Sequence, residues 1–147
     1  MCYTLAITFG TTAYHFTMRL IVGYSVDFVL KNKVNYNRRW FNVSKFEMKI
    51  YKKLNVKKWK DKMPTYNPEL FDISKHSWEE ILMTMCQSEI VHEIIFILSF
   101  IPIIAIIWFK EPWAFIITSI MSALFDLMYV IMQRYNRNRI LRLKSKL

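Results

Sequence analysis

The sequence predicts an all-α integral membrane protein with about three transmembrane helices and a basic amphipathic helix at the membrane surface. Three observations carry this. Of 147 residues, 54% are hydrophobic and 16% aromatic, more than a soluble domain of this length needs to fill a core. The net charge of +10 is segregated from the apolar runs rather than mixed into them, which is the pattern of membrane spans with basic flanks. Residues 94–109 carry no charge and residues 113–132 only Asp126, on the scale of the roughly 20 apolar residues that let a helix cross a bilayer. A single membrane domain over residues 1–147 follows.

Residues 3–30 give the first span, apolar except for His15, Arg19 and Asp27 and about 40 Å long as a helix. No positive region precedes the run, so it is expected to stay in the mature protein rather than leave as a signal peptide. Residues 31–76 are a basic cytoplasmic or interfacial segment, in which residues 31–62 hold twelve Lys or Arg against Glu47 and Asp61. There, Ser44-x-x-Glu47 has capping-box spacing, and Phe46, Ile50 and Leu54 recur at helical intervals between lysines. Trp40 and Trp59 are the expected interfacial anchors. Residues 63–72, with Pro64 and Pro68, read as an irregular connector. Ser77-x-x-Glu80 opens a surface helix that runs on into the second span, residues 77–109, with Ile81, Leu82, Met85, Glu89, His92 and Phe96 along one stripe. Pro102 should bend it, because proline has no N–H for the preceding turn. Lys110-Glu111-Pro112 is a tight reversal, residues 113–133 form the third span, and residues 134–147 a basic tail. Basic loops favour the cytoplasm, which puts the amino terminus outside and the carboxyl terminus inside. Spans this few and thin leave room for a homo-oligomer.

Several function classes drop out. Cys2 and Cys86 stand far apart among apolar residues and build neither a disulfide framework nor a metal knuckle. With Gly10 and Gly23 the only glycines, no Walker or Rossmann phosphate loop can form, and no cofactor is implied. Basic residues that flank membrane spans, rather than interleave with a stacking surface, do not suit nucleic acid. Anionic lipid or an anionic substrate suits them better.

Ionisable groups within spans are costly and gather where a site or a buried contact needs them. The predicted hairpin of spans two and three brings Glu89, His92 and Glu93 to the depth of Gln133, Arg134, Asn136 and Arg137. His92 is the candidate general base, with Glu89 one turn earlier to fix its tautomer; the alternative is a histidine hydrogen-bonded at the interface. Glu89-x-x-His92 is also half of a di-iron carboxylate pattern, but no second pair exists and no metal is assigned. Arg134 and Arg137 share a helix face suited to phosphate, where guanidinium forks bind bidentately. Topogenic charge alone would explain those arginines but not Gln133, Tyr135 and Asn136 beside them. His15 and Arg19, four residues apart, read either as substrate-binding groups or as polar glue between helices.

The segments KKWKDKMP (57–64), SEIVHE (88–93) and QRYNRNR (133–139) follow one another in an order and spacing that resembles the glycosyl-4,4'-diaponeurosporenoate acyltransferase family of staphyloxanthin-type carotenoid biosynthesis. The likeness covers about residues 40–143. Asn138 stands where the family usually has proline, Glu93 where an aromatic is common, and YHFTMRL (14–20) has no counterpart, so the chain reads as a divergent subgroup whose acceptor need not be a carotenoid. The resemblance implies a membrane-embedded acyltransferase that moves a fatty acyl group from a cytoplasmic acyl-CoA or acyl carrier protein to a hydroxyl of a glycosylated lipid or carotenoid. It implies His92 and Glu89 as catalytic residues, and Gln133, Arg134, Tyr135, Asn136 and Arg137 as substrate-binding. The competing class is a non-catalytic membrane subunit whose basic ends recruit anionic lipid or a partner protein.

Overall fold

The computed structural model describes residues 2–59, 63 and 68–145. Among the described residues all regular structure is helical: α1 (Cys2–Leu30), α2 (Lys45–Lys53), α3 (Trp78–Leu98), α4 (Ile106–Phe109) and α5 (Pro112–Lys144), joined by short 3-10 turns. Helices α3 and α5 pack most extensively on each other, and α1 leans on both. Among the described residues two helical stretches are long and apolar enough to cross a membrane, Trp78–Phe109 and Pro112–Lys144. The 29-residue α1 comes close to them in length but not in composition, diluted by His15, Arg19, Asp27 and the threonines Thr4, Thr8, Thr11 and Thr12.

Both capping boxes form. Ser44 Oγ accepts from the Glu47 N–H at 3.1 Å while the Glu47 carboxylate accepts from the Ser44 N–H at 2.7 Å. Ser77 and Glu80 repeat the exchange at 3.3 and 2.8 Å, so each helix start has orphan donors satisfied. The lysine-flanked α2 is two-faced: Met48 and Tyr51 pack with Val56 against Tyr135 of α5, each worth about 1.5–3 kcal/mol on burial. Phe46 and Ile50 point outward. Trp40 is exposed as an anchor would be, whereas Trp59 packs against the Met63, Tyr129 and Met132 cluster. Of the connector, residues 64–67 lie outside the described residues and Pro68–Phe71 is a single 3-10 turn; Lys60 to Lys62 of the basic run are likewise outside them.

The proline break is sharper than a bend. Helix α3 stops at Leu98, and Ile101–Ala105 winds as a 3-10 turn before α4. Pro102 supplies no N–H for the Leu98 carbonyl four residues earlier, and the Tyr14 hydroxyl of α1 donates to that carbonyl instead, at 3.1 Å. Tyr14→Phe is therefore expected to cost about 1 kcal/mol, read as a lower Tm in detergent; an unchanged Tm would mean the carbonyl has another donor. The reversal at Lys110 uses a left-handed residue, φ 53°, before Pro112 opens α5. Lys31 and Asn32 do the same after α1, with φ of 47° and 54°. Asn32 then donates from its backbone to Gln87 at 2.7 Å and from its amide to Thr84 at 2.9 Å, and Gln87 donates to Asp27 at 3.0 Å.

Polarity is inverted relative to a soluble bundle. Phe9, Phe16, Phe28, Ile107, Trp108 and Trp113 are each about two-thirds or more exposed, an apolar perimeter far beyond ordinary surface patches. Inside, Glu89, Asp126 and Arg137 are at most 1% exposed. On α5 the buried positions Phe115, Ser119, Ser122, Asp126, Tyr129, Gln133 and Arg137 recur at intervals of three or four, one inward stripe.

Candidate functional site

The interior polar residues form two clusters at different heights on the α3–α5 pair. The first joins the end of the bundle to the basic segment. Glu89 of α3 receives Arg134 at 2.8 Å and Arg137, both from α5 and one turn apart. Arg137 also donates to the Phe41 carbonyl at 2.6 Å and lies over that residue's ring. Arg134 donates to the Trp40 and Asn42 carbonyls at 3.2 and 3.0 Å and pairs with Glu47 of α2 at 3.1 Å. Trp40 is tied to Glu93 through its indole N–H, and Gln133 donates to Ser88 at 3.2 Å. Glu47 is pulled between effects: burial raises its pKa, but hydrogen bonds from Ser44 and the charge of Arg134 hold it below the usual carboxylate value. Burial, with the nearby Glu47 charge, pushes the Tyr51 phenol up to about 12, so it stays protonated and donates to Glu47 at 3.2 Å.

This cluster reassigns several expectations. The Glu89 carboxylate is taken up by two guanidinium groups and does not supply the hydrogen bond that His92 makes. Arg134 and Arg137 spend their forks on Glu89 and on backbone carbonyls of residues 40–42, leaving them facing protein rather than a phosphate. Tyr135 is buried against Met48, Tyr51 and Val56, while Asn136 is half-buried and Arg139 exposed.

The second cluster lies deeper along the same helices. His92 Nδ1 meets Asp126 Oδ1 of α5 at 2.8 Å, and its ring stacks on Tyr129 with centroids 4.5 Å apart and planes 9° from parallel. The other Asp126 oxygen pairs with Arg19 of α1. Arg19 donates to Ser122 Oγ at 2.9 Å, and Ser122 shares a hydrogen bond with Ser99 at 2.9 Å. All three long helices thus meet in one network around a fully buried carboxylate. His15 does not pair with Arg19 through its ring; Arg19 bonds its backbone carbonyl at 3.2 Å, and both His15 ring nitrogens are buried without a partner.

Chemically this is an imidazole held by a carboxylate at one nitrogen, with Nε2 left for a substrate. Asp126 accepting from Nδ1–H fixes the tautomer, and the Tyr129 face fixes the ring plane. The side chain of His92 is 19% exposed, so the base is reachable from outside the core. Asp126, Ser99 and Ser122 escaped sequence reasoning, although Asp126 sits 7 and 11 residues before Gln133 and Arg137, on the same helix stripe.

No curated protein and no solved structure matches the chain. Residues 37–146 match the family described as CrtO, glycosyl-4,4'-diaponeurosporenoate acyltransferase. That range takes in α2 to α5, with His92, Asp126 and the whole arginine cluster, and begins after α1. On a match covering most of its length, the chain belongs to the CrtO family of glycosyl-4,4'-diaponeurosporenoate acyltransferases.

Proposed function

We propose that the protein is a membrane-embedded acyltransferase that moves a fatty acyl group from a thioester donor to a hydroxyl of a glycosylated lipid or carotenoid, with His92 as general base. The observation that carries the reading is the His92–Asp126 hydrogen bond inside the Arg19 network, in a family named for acyl transfer. The inverted polarity of the bundle supports three spans in lipid, α1 included, since an apolar perimeter suits hydrocarbon and interior polar contacts join helices there. The amino terminus is then outside and the carboxyl terminus cytoplasmic. Helix α2 rests at the cytoplasmic interface with Phe46 and Ile50 toward lipid.

In this mechanism His92 Nε2 takes the proton of the acceptor hydroxyl as its oxygen attacks the thioester carbonyl carbon. The tetrahedral intermediate collapses by breaking the carbon–sulfur bond, and the imidazolium returns the proton to the departing sulfur. Arg19 keeps a buried Nε–H without an acceptor, a donor for the oxyanion within the same cluster. Phosphates of a CoA or carrier-protein donor fall to the exposed lysines Lys49, Lys52, Lys53 and Lys57 rather than to Arg134 and Arg137.

A scaffold role is favoured by one fact: Arg134 and Arg137 bond Glu89 and the carbonyls of residues 40–42, as a structural lock would. Lipid mass spectrometry on host membranes fed a labelled fatty acid decides between them. The intact protein is expected to yield an acylated glycolipid that is absent with His92→Ala and in the empty host; full product with His92→Ala removes His92 from the mechanism, and identical profiles in all three hosts favour the scaffold.

A further inference from the structure

An apolar groove of about 640 Å³ opens at the end of the bundle remote from the arginine cluster. It lies between the first turns of α1, the 3-10 turn and α4, and the start of α5, with Gly10, Thr11, Tyr14, Pro102, Trp108 and Phe115 among its lining residues. The proline break helps shape it, because the chain leaves the α3 axis there. Gly10 has no side chain, and a Cβ added to it would meet nothing within 4 Å, so the groove is open opposite that residue. Its size is that of a small-molecule site.

One turn past the inner end of the groove there is unmet polar demand. One turn beyond Thr11 on α1 is His15, 4% exposed, and one turn beyond Phe115 on α5 is Ser119, fully buried. Neither His15 ring nitrogen nor Ser119 Oγ has a hydrogen-bond partner. A buried donor or acceptor left alone costs on the order of 1–3 kcal/mol, and three such atoms on two side chains gather here, whereas Arg19, Asn32 and Arg134 each leave one atom unpaired and pair their others. Another turn inward on α1 is Arg19, and Ser122 and Asp126 follow on α5. Apolar groove, unpaired polar belt and His92 network therefore succeed one another along the same helix stripes.

We infer that the groove holds the alkyl tail of a fatty acyl group, whose carbonyl or carboxyl oxygens are bonded by His15 and Ser119. The inference rests on the acyl-transfer reading and supplies its donor-chain site. A linear apolar chain with a single polar end matches an almost wholly apolar groove with two unpaired buried groups one turn beyond its inner end. The tail's methyl end points toward Tyr3 and Trp108.

The test uses the full chain in lipid nanodiscs and two photoreactive palmitic acids, one with a diazirine near the methyl end and one with it near the carboxyl end. The methyl-end probe is expected to label peptides from residues 3–10 or 101–109, and the carboxyl-end probe peptides around His15 and Ser119. Gly10→Leu fills the groove and should lower labelling about tenfold, the effect of roughly 1.4 kcal/mol of overpacking. Gly23→Leu, on the same helix and equally free of a clash, should leave labelling unchanged. Labelling spread evenly over the outward residues Phe16, Trp113 and Met121, or unaltered by Gly10→Leu, overturns the inference. Turnover is scored separately. Product formation with labelling away from the groove rejects the groove and keeps acyl transfer, whereas groove labelling without turnover keeps the binding site and rejects acyl transfer.

Discussion

Asp126→Asn lowers acyl transfer by on the order of 10²-fold or more, the scale of a positioned general base. The carboxylate accepts from His92 Nδ1, and an amide in its place can present its NH₂ to that nitrogen and select the wrong tautomer. Because Asp126 also balances Arg19, the loss is separated from misfolding in two ways. Thermal unfolding in detergent tests whether the variant retains its packing, and Arg19→Met combined with Asp126→Asn removes both charges together, so that neither is left buried alone. The decisive comparison is His92→Ala with and without Asp126→Asn. If Asp126 acts through His92, the second substitution adds almost nothing to the catalytic loss of the first. Multiplying effects would instead show that Asp126 supports the helices rather than the base.

Glu89→Ala produces the largest loss of stability, about 3–5 kcal/mol, because it leaves the buried Arg137 without a carboxylate and takes from Arg134 one of its two, Glu47 being the other. Glu89→Gln keeps the shape and loses less. The same cluster separates architecture from recognition. Replacing Glu89, Arg134 and Arg137 together by Leu, Met and Met leaves none of the three buried as an unpaired charge and should recover part of the lost Tm; Glu47 loses its arginine and the carbonyls of residues 40–42 still lack their donors, so recovery is incomplete. If the triple variant inserts and retains turnover, the arginines serve the fold; if it is stable and inactive with a sharply raised KM for the thioester donor, they contact substrate as their motif suggested.

Much of the fold was legible because its signals are local. Both capping boxes are four-residue patterns, and Pro102 interrupts its helix for a reason internal to the proline ring. The reversal at residues 110–112 needs only a left-handed residue and a proline at the first helical position. The partners of the polar residues were not local. Glu89 and His92 are three apart on one helix, which suggests a shared site, yet small differences in their direction send one to Arg137 and the other to Asp126. Helical spacing gives a face, and only the packing of α1, α3 and α5 decides what each residue on that face meets. Asp126 was visible as an oddity in an apolar run and lay on the stripe of Gln133 and Arg137. Its pairing with Arg19, across 107 positions of sequence, had no sequence signature. Nor did the carbonyls of residues 40–42, which consume guanidinium donors that a residue count leaves free.

Helix α5 runs unbroken from Pro112 to Lys144, and it carries both clusters like marks on a rule. Eleven residues separate Asp126 from Arg137, about 16 Å along the axis, or half the hydrocarbon thickness of a bilayer. In the proposed topology, with the arginine cluster at the cytoplasmic boundary, the His92–Asp126 pair would lie near the midplane, where water is scarce. A thioester delivered there is shielded from hydrolysis, the wasteful competitor of transfer. The acceptor must bring its own hydroxyl down to that depth, a condition that selects amphiphiles with long apolar bodies and rejects free sugars irrespective of how well their rings would fit.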